Sequence, residues 1–455
     1  MEAFDIVIIG AGPAGISAAL RGADQGARVC LIEQDRIGGS SFYKGVYPYK
    51  AAIAALNDRT SDIHANGTID IEKFSHRVNR AIEAVVSNRA SRLNELGVEI
   101  RLGRGILLSP SIVQVETDGV STEVLGGKII IATGSHPVAL PTLPFEKDVV
   151  LSADNVFQSN KLPASVFIMG GGASGCELAT LYRRLGSKVF LSHQEPRLLT
   201  GQDPDIIDAV ESSLKKLKVK ILPDKKLSSY FKNDGMLDMT LSGGVKFQVE
   251  KIVLNLDREG NSLNLGCEDL GIRLGEHEEI LVNEVLETST AGIFAVGSVT
   301  GRKTTTGISE EEGRVAADNA MGKNKAVNSD WTPFLIGTEP EIACVGCFAE
   351  EAHHKGFRAV EGKFLWENLD YSLLRDEAGG FCKITADARS GVVLGGQIYS
   401  NNASQLISLV LLAMKKGMKV GALASLACDG AGENHGIREA ARSCSRALKA
   451  QRNVL

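Results

Sequence analysis

The sequence predicts an α/β protein with two dinucleotide-binding domains of the Rossmann type, followed by an α+β domain. Three observations support this fold class. An apolar run at residues 6–9 leads into a G-x-G-x-x-G motif at residues 10–15 and a helix of small residues. Residues 170–175 repeat the motif after a second apolar run. From Pro333 onward the pattern changes to strands with glycine turns, closed by helices.

The two glycine motifs predict two phosphate-binding turns. In such a turn the first glycine allows the tight bend, the second lets the backbone approach a pyrophosphate, and the third lets the helix pack on the strand. Free N–H groups at the helix N-terminus then bind the phosphates. A single motif of this kind also occurs where a strand and a helix merely pack together. Two copies in the same context favour nucleotide binding. The residues are Gly10, Gly12, Pro13, Ala14 and Gly15 in the first copy, and Gly170, Gly172 and Gly175 in the second.

The residue that ends the next strand differs between the copies. Residues 27–33 end in Glu33, a carboxylate suited to accept a hydrogen bond from an adenosine ribose hydroxyl. Residues 187–193 end at the same offset in His193. The first site is therefore complete, whereas the second is a dinucleotide site with an unusual ribose-binding residue.

The length and composition limit the number of domains and exclude several classes of protein. A chain of 455 residues suggests two to four domains. It is 44% hydrophobic and 23% charged, with a formal net charge of −5, which gives no electrostatic case for nucleic acid or an anionic membrane. Met1 lies almost directly on the first strand, so we expect no targeting peptide. The longest apolar helical stretch, residues 406–414, is too short to span a bilayer.

The cysteines predict a reducing, cytoplasmic location and no metal centre. Eight cysteines are scattered without a disulfide framework. Cys344 and Cys347 form one close pair, with His353 and His354 beyond it. Residues three apart on a strand face opposite sides, and no second ligand pair completes a site. Ordinary burial is therefore the favoured interpretation of that pair.

Four domains are expected along the chain. The proline-containing segment 136–144 is typical of a linker. The predicted domains are a first nucleotide-binding domain at residues 1–147, a second nucleotide-binding domain at 148–263, a central domain at 264–327 and an α+β interface domain at 328–455.

Taken together, the motifs resemble those of the class I pyridine nucleotide–disulfide oxidoreductases, in particular the dihydrolipoamide dehydrogenase-like members. The resemblance covers nearly the whole chain, and the motifs occur in the family's order. They are residues 10–15 with Glu33, Gly38-Gly39, Pro48-x-Lys50, Ala132-Thr133-Gly134, residues 170–175 with Glu177, residues 288–297, and residues 339–343.

This resemblance implies that residues 1–147 bind FAD and that the central domain, 264–327, completes the FAD site. It also implies NAD or NADP on residues 148–263 and a homodimer formed through the interface or dimerisation domain, 328–455. By the same resemblance, Lys50 and Glu177 pair near the flavin and tune its chemistry. The implied FAD-binding residues are the first glycine motif, Glu33, Gly39, Ser40, Lys50, Ala132, Thr133, Gly134, Gly297 and Ser298. The implied nicotinamide-dinucleotide residues are Gly170, Gly172, Gly175 and His193.

The sequence departs from the family at the groups that carry thiol chemistry. Family members have a Cys-x-x-x-x-Cys pair between the paired glycines and Pro-x-Lys, where this chain has Ser41 and Val46. A hydroxyl and an isopropyl group cannot form a disulfide or exchange with a dithiol. The family's C-terminal His and Glu fall on Gly430 and His435. His435 is the one candidate for a relocated base, but we expect it to lack an orienting carboxylate.

Two further features of the sequence leave alternatives open. Where the family has a flavin-binding Asp, this chain has Ser298, which offers a weaker hydrogen bond. The segment that replaces the disulfide carries aromatic residues that either fill volume or form a platform for a planar electron acceptor. These residues are Phe42, Tyr43, Tyr47 and Tyr49. Glycines at 430, 432 and 436 suggest free space for a new acceptor pocket.

The sequence thus supports three hypotheses. The leading one is an NAD(P)H oxidoreductase that passes electrons to a quinone-like molecule, another flavin or a redox protein. The alternative is a catalytically inactive homologue that acts as a scaffold or cofactor-sensing subunit of a larger redox complex. A third keeps a thiol role through Cys176 or Cys428.

Overall fold

The fold is described from a computed structural model covering residues 1–58, 60, 62–65, 68–158, 161–302, 305–374, 379–430 and 432–452. These residues form two compact units. The first unit contains residues 1–166, 234–237 and 249–327, and the second contains residues 167–233, 238–248 and 328–455. The finer division into four domains stays a prediction.

The chain combines strands that alternate with helices and longer runs of consecutive strands. The strands are β1 (Glu2–Ile9), β2 (Val29–Glu33), β3 (His64–Ala65), β4 (Thr68–Ile69), β5 (Glu99–Leu102), β6 (Arg104–Ser109), β7 (Ile112–Thr117), β8 (Val120–Ile131), β9 (Ser135–Pro137), β10 (Val150–Ser152), β11 (Ser165–Met169), β12 (Lys188–His193), β13 (Lys220–Pro223), β14 (Leu227–Asn233), β15 (Met236–Leu241), β16 (Lys246–Val249), β17 (Lys251–Leu254), β18 (Arg258–Gly260), β19 (Ile293–Ala295), β20 (Phe334–Ile336), β21 (Glu341–Gly346), β22 (Ala359–Leu365), β23 (Phe381–Asp387) and β24 (Val393–Ser400).

The helices vary from one turn to seven. They are α1 (Pro13–Asp24), α2 (Gly39–Tyr43), α3 (Val46–Asn57), α4 (Ile71–Glu95), α5 (Ala173–Leu185), α6 (Pro204–Lys216), α7 (Thr306–Ala320), α8 (Ala349–His354), α9 (Asp370–Leu374), α10 (Ala403–Lys415), α11 (Val420–Ala424) and α12 (Asn434–Arg452). Within the described part of the chain, no helix has the length and apolar character needed to cross a membrane.

The first unit is built on one mixed sheet with the order β5-β2-β1-β8-β7-β6, and β19 also pairs with β8. The pairs β1–β2, β1–β8 and β8–β19 are parallel. Their apolar residues are buried on both faces of the sheet, as expected for parallel strands covered by other elements. Helices α1 and α7 pack closely on each other because Gly313 has no side chain: a Cβ there would lie 2.0 Å from the Ala14 carbonyl oxygen.

The second unit combines a parallel segment with an antiparallel sheet. Strands β11, β12 and β13 lie next to one another, and β12 pairs with β13 in parallel. The antiparallel sheet has the order β20-β21-β24-β23-β22. Residues of this sheet, α10 and α12 share one apolar core. The predicted fold class, two Rossmann-like segments and a final α+β domain, is confirmed.

Candidate nucleotide and redox sites

The first glycine turn is shaped by close backbone approach. Gly10 has φ = 104°, and a Cβ there would lie 2.4 Å from the Ala132 carbonyl oxygen. A Cβ at Gly15 would lie 1.8 Å from the Gly10 carbonyl oxygen. A Cβ at Gly12 would have no heavy atom within 4 Å, although Gly12 is the residue that precedes α1. Two glycines are therefore required by packing, and the third leaves the helix N-terminus open to a phosphate.

Glu33 is fixed beside this turn. Its carboxylate accepts hydrogen bonds from the backbone N–H groups of Ala11, at 2.7 Å, and Asp35, at 2.9 Å. The residue is 8% exposed. Because each carboxylate oxygen can accept more than one bond, Glu33 keeps acceptor capacity for a ribose hydroxyl.

The next segment approaches the same turn. Gly39 has φ = 58° and begins α2, and a Cβ there would lie 3.0 Å from the Gly12 Cα atom. Ser40 is exposed. The structure therefore brings Gly39 to the open glycine of the turn. Its role in cofactor binding stays a prediction.

The Ala132–Gly134 segment is held by a residue that sequence analysis missed. Thr133 Oγ1 donates to the Asn261 carbonyl oxygen at 2.8 Å, and Asn261 Nδ2 donates to the Thr133 carbonyl oxygen at 2.8 Å. The Asn261 N–H also donates to the Gly134 carbonyl oxygen at 2.9 Å. Thr133 and Asn261 are 128 positions apart, so no local pattern indicates their bonds.

Glu312, which sequence analysis also missed, supports the turn after β19. Gly297 has φ = 75°, and its N–H donates to Glu312 Oε2 at 2.7 Å. Glu312 is 1% exposed, and burial raises the pKa of its carboxyl, against the opposing effects of the Gly297 N–H and of Arg302. A Cβ at Gly297 would lie 3.2 Å from the Ala14 Cβ atom, which places this turn beside the first glycine motif. Ser298 follows as an exposed residue.

Residues 41–47 lie where family members carry the disulfide, and their side chains make polar and aromatic contacts. Ser41 Oγ lies 3.1 Å from Thr306 Oγ1, at the start of α7. The rings of Phe42 and Tyr47 stack with centroids 4.0 Å apart. Phe42 is 1% exposed, so this ring fills volume and offers no free platform.

The other aromatic residues of the segment differ in exposure. Tyr49 is buried, which also favours the volume-filling interpretation. Tyr43 and Tyr47 are half-buried, and the Arg36 guanidinium lies 4.0 Å from the centre of the Tyr43 ring. Burial and the charge of Glu310 raise the pKa of Tyr47, against the effect of Arg89.

Lys50 and Glu177 have different surroundings. Lys50 is exposed on α3 in the first unit. Glu177 is half-buried on α5 in the second unit, and its Oε1 accepts from the Gly337 N–H at 2.8 Å. Their joint action on a flavin stays a prediction.

The second glycine turn repeats the first in its backbone. Gly170 has φ = 129°, and Gly175 is buried in α5. A Cβ at Gly172, the residue before α5, would have no heavy atom within 4 Å. The open helix N-terminus of a nucleotide site is thus present twice in this chain.

His193 differs from Glu33 in its bonding. It is 5% exposed, and neither ring nitrogen has a hydrogen-bond partner among the described residues. Burial lowers the pKa of the imidazole, against the opposing effects of Glu195 and Glu211. The ring lies beside the glycine turn, since a Cβ at Gly171 would be 2.7 Å from the His193 Cβ atom.

The C-terminal segment corrects one expectation about His435. Its Nε2 lies 3.2 Å from Glu439 Oε1, one helical turn further on, so the expectation that it lacks a carboxylate partner is wrong. Arg438 Nη2 lies 2.9 Å from Nε2 and 3.2 Å from Nδ1 of the same ring. A Cβ at Gly430 would lie 4.0 Å from His435 Nδ1.

The expected free space at the C-terminal glycines is also wrong at Gly436. A Cβ there would lie 1.8 Å from the ring of Trp366, so this glycine is required by packing. At Gly432 a Cβ would contact Asp429 at 3.6 Å. Ala431 lies outside the described residues.

Comparisons with known proteins agree with this geometry. Residues 4–321 match the pyridine nucleotide-disulphide oxidoreductase family, and residues 332–428 match its dimerisation domain. The chain belongs to this family. Its members are flavoprotein oxidoreductases that depend on FAD and NAD(P).

Curated relatives and solved structures cover nearly the whole chain. The dihydrolipoyl dehydrogenase of Thermus scotoductus is 31% identical over 433 residues, covering 92% of this chain and 93% of the relative. The dihydrolipoyl dehydrogenase of Chlamydia muridarum is 29% identical over 426 residues, covering 91% of each. The crystal structure of LpdA from Mycobacterium tuberculosis has a TM-score of 0.89 at 26% identity, covering 97% of this chain and 99% of the other.

The hypothesis of a thiol role concerns Cys176 and Cys428, which have different surroundings. Cys176 is fully buried, and burial raises its pKa, which disfavours the thiolate that exchange requires. Cys428 is half-buried, and its Sγ lies 3.7 Å from the Leu426 carbonyl oxygen. The segment from Gly38 to Lys50 contains no sulfur at all.

The two glycine turns fit the family's cofactors. Among the described residues, each leaves space in front of its second glycine at a helix N-terminus with no side-chain cap and no acidic residue in the first turn. Glu33 supplies an acceptor beside the first turn, and His193 supplies an unpaired imidazole beside the second. Both turns can therefore receive a pyrophosphate and its ribose.

Proposed function

We propose that this protein is an FAD-dependent NAD(P)H oxidoreductase that passes electrons to an acceptor other than a disulfide. The observation that carries the proposal is the contact between Ser41 Oγ and Thr306 Oγ1, at 3.1 Å. A hydroxyl occupies the first of the family's two sulfur positions, and Val46 occupies the second. Neither group can accept a pair of electrons or form a mixed disulfide.

The chain's own residues supply binding and orientation. Gly10, Gly12 and Gly15 would hold FAD with Glu33, and the turn at Gly297, braced by Glu312, closes on Ala14. When bound, FAD supplies hydride transfer from the nicotinamide. Lys50 and Glu177 would tune its charge. The net reaction converts NAD(P)H, a proton and a quinone-like acceptor to NAD(P)⁺ and the reduced, protonated acceptor.

The half-buried aromatic residues favour a planar acceptor. Tyr43 and Tyr47 lie in the segment where sulfur is missing, and Tyr47 is half-buried near Arg89 and Glu310. A ring system such as a quinone or a second flavin can stack on aromatic side chains of this kind. The buried rings of Phe42 and Tyr49 would support that surface from below.

A second candidate function, a non-catalytic scaffold, is favoured by one contact. The Glu177 carboxylate accepts from the Gly337 N–H, a bond that stabilises the second unit whether or not a flavin is reduced. Retention of Glu177 is therefore also compatible with loss of catalysis.

Steady-state assays separate the candidates. Purified protein supplied with NADH or NADPH should reduce benzoquinone, FMN or ferricyanide, and should show no turnover with lipoamide or glutathione disulfide. Turnover with either disulfide would contradict the proposal. Absence of nicotinamide oxidation with every acceptor would favour the scaffold.

A further inference from the structure

The unpaired imidazole of His193 requires an explanation. A neutral imidazole carries one hydrogen-bond donor and one acceptor, and buried groups of this kind are nearly always paired. His193 is 5% exposed, yet both ring nitrogens are without a partner among the described residues. Glu33, at the same position of the first copy, accepts two backbone N–H groups. A buried imidazole without a partner in the protein indicates that a bound ligand supplies one.

The surroundings of His193 indicate where that ligand binds. The ring lies against Gly171, and Gly172 leaves the N-terminus of the 13-residue helix α5 open. No side chain caps this helix end. A phosphate at the helix N-terminus would bring its attached ribose toward the end of β12, where His193 lies.

The cations near this site are already engaged. Arg183 donates to the carbonyl oxygens of Leu217, at 2.7 Å, and Ser187, at 2.5 Å. Arg184 pairs with the Glu339 carboxylate.

Two further cations of this region also make contacts. Arg197 pairs with Asp208 at 2.7 Å and with Glu211 at 3.0 Å. Lys188 Nζ lies 5.1 Å from the centre of the Phe190 ring. Each of these four side chains would give up a contact in order to bind a 2′-phosphate.

We propose that His193 makes the second nucleotide site indifferent to the 2′ substituent of the adenosine ribose, so that it binds NAD(H) and NADP(H) with similar affinity. The proposal rests on the proposed function. A neutral imidazole exchanges hydrogen bonds with a ribose hydroxyl and donates one to a phosphate oxygen. It has no negative charge to repel a 2′-phosphate, and the engaged cations give the phosphate no added attraction.

The test measures binding of oxidised nucleotides to the purified protein by isothermal titration calorimetry. NAD⁺ and NADP⁺ do not reduce a flavin, so binding is separated from turnover. We expect their dissociation constants to agree within tenfold. A larger difference in either direction, or no binding of either nucleotide, would overturn the proposal.

Two variants assign the effect to the imidazole. His193→Glu should weaken the binding of NADP⁺ at least thirtyfold more than the binding of NAD⁺, because it places a carboxylate against the 2′-phosphate. Gln194→Glu adds the same charge at the next position, which is exposed. It should change the ratio of the NADP⁺ and NAD⁺ dissociation constants less than threefold. Equal effects of the two variants would contradict the assignment.

A third variant keeps the test decisive if His193→Glu does not fold. His193→Gln keeps one donor and one acceptor without charge, and it should leave the ratio within tenfold. If His193→Glu does not fold, a strong preference in His193→Gln or in the wild-type protein still overturns the proposal. Absence of turnover with every acceptor would contradict the proposed function alone, because the binding ratio needs neither flavin reduction nor an acceptor.

Discussion

The two glycine turns share a backbone and differ in the side chain at the end of the following strand. In both, the first glycine has a positive φ and the second leaves the helix N-terminus open. Glu33 is tied to its turn by two backbone N–H groups, whereas His193 is buried beside its turn with both ring nitrogens unpaired. We expect phosphate binding to depend on the backbone that the copies share, and selection of the ribose to depend on the side chain in which they differ.

The largest expected effect separates two glycines of the first turn. Gly15→Ala places a Cβ 1.8 Å from the Gly10 carbonyl oxygen and should destabilise the flavin-free protein by about 3 kcal/mol or more. Gly12→Ala meets no atom within 4 Å, so it should fold normally and lose flavin affinity. Denaturant unfolding and the flavin-to-protein absorbance ratio measure the two effects. Full flavin content in Gly12→Ala would contradict the assigned role of the open glycine.

A matched pair of variants tests the contrast at the strand ends. Glu33→Leu leaves the Ala11 and Asp35 N–H groups unpaired and should cost about 2 kcal/mol or more of the free energy of unfolding. His193→Leu breaks no bond that the described residues make, and it should change stability by less than about 1 kcal/mol. Chemical unfolding of the flavin-free proteins measures both values. Equal losses would mean that the two residues play the same structural role.

A smaller effect concerns acid pH. Burial holds the pKa of His193 below its ordinary value of 6.5, so below pH 6.5 the unfolded chain binds a proton that the folded one does not. Glu195 and Glu211 oppose this shift. The wild-type protein should therefore lose stability relative to His193→Leu as the pH falls below 6.5, by at most about 1.4 kcal/mol for each unit of pKa shift. Parallel stability curves for the two proteins would contradict the assignment.

The fold was predictable because glycine turns produce a recognisable local pattern in the sequence. Gly10 and Gly15 are required by contacts with nearby backbone, and their spacing reveals the strand, turn and helix. Asn261 and Glu312 were not predictable, because each acts through a long-range bond to a backbone group. Glu439 could have been found from its helical spacing to His435, since residues four apart share a helix face.

The contacts that replace the disulfide show a second limit of sequence reasoning. The sequence excludes sulfur from residues 38–50 but does not show what Ser41 contacts. Thr306 lies 265 positions away. The stacking of Phe42 on Tyr47 joins α2 to α3 across residues 44–45, and the sequence pattern does not show this contact.

An anaerobic titration of the flavin-containing protein with NADH and with NADPH tests the central claim most directly. Flavin accepts two electrons, and a redox-active disulfide would accept two more. We predict complete loss of flavin absorbance with one equivalent of nicotinamide per subunit, and no thiolate charge-transfer band at long wavelength. Consumption of two equivalents with the appearance of that band would show a sulfur couple beside the flavin and contradict the account.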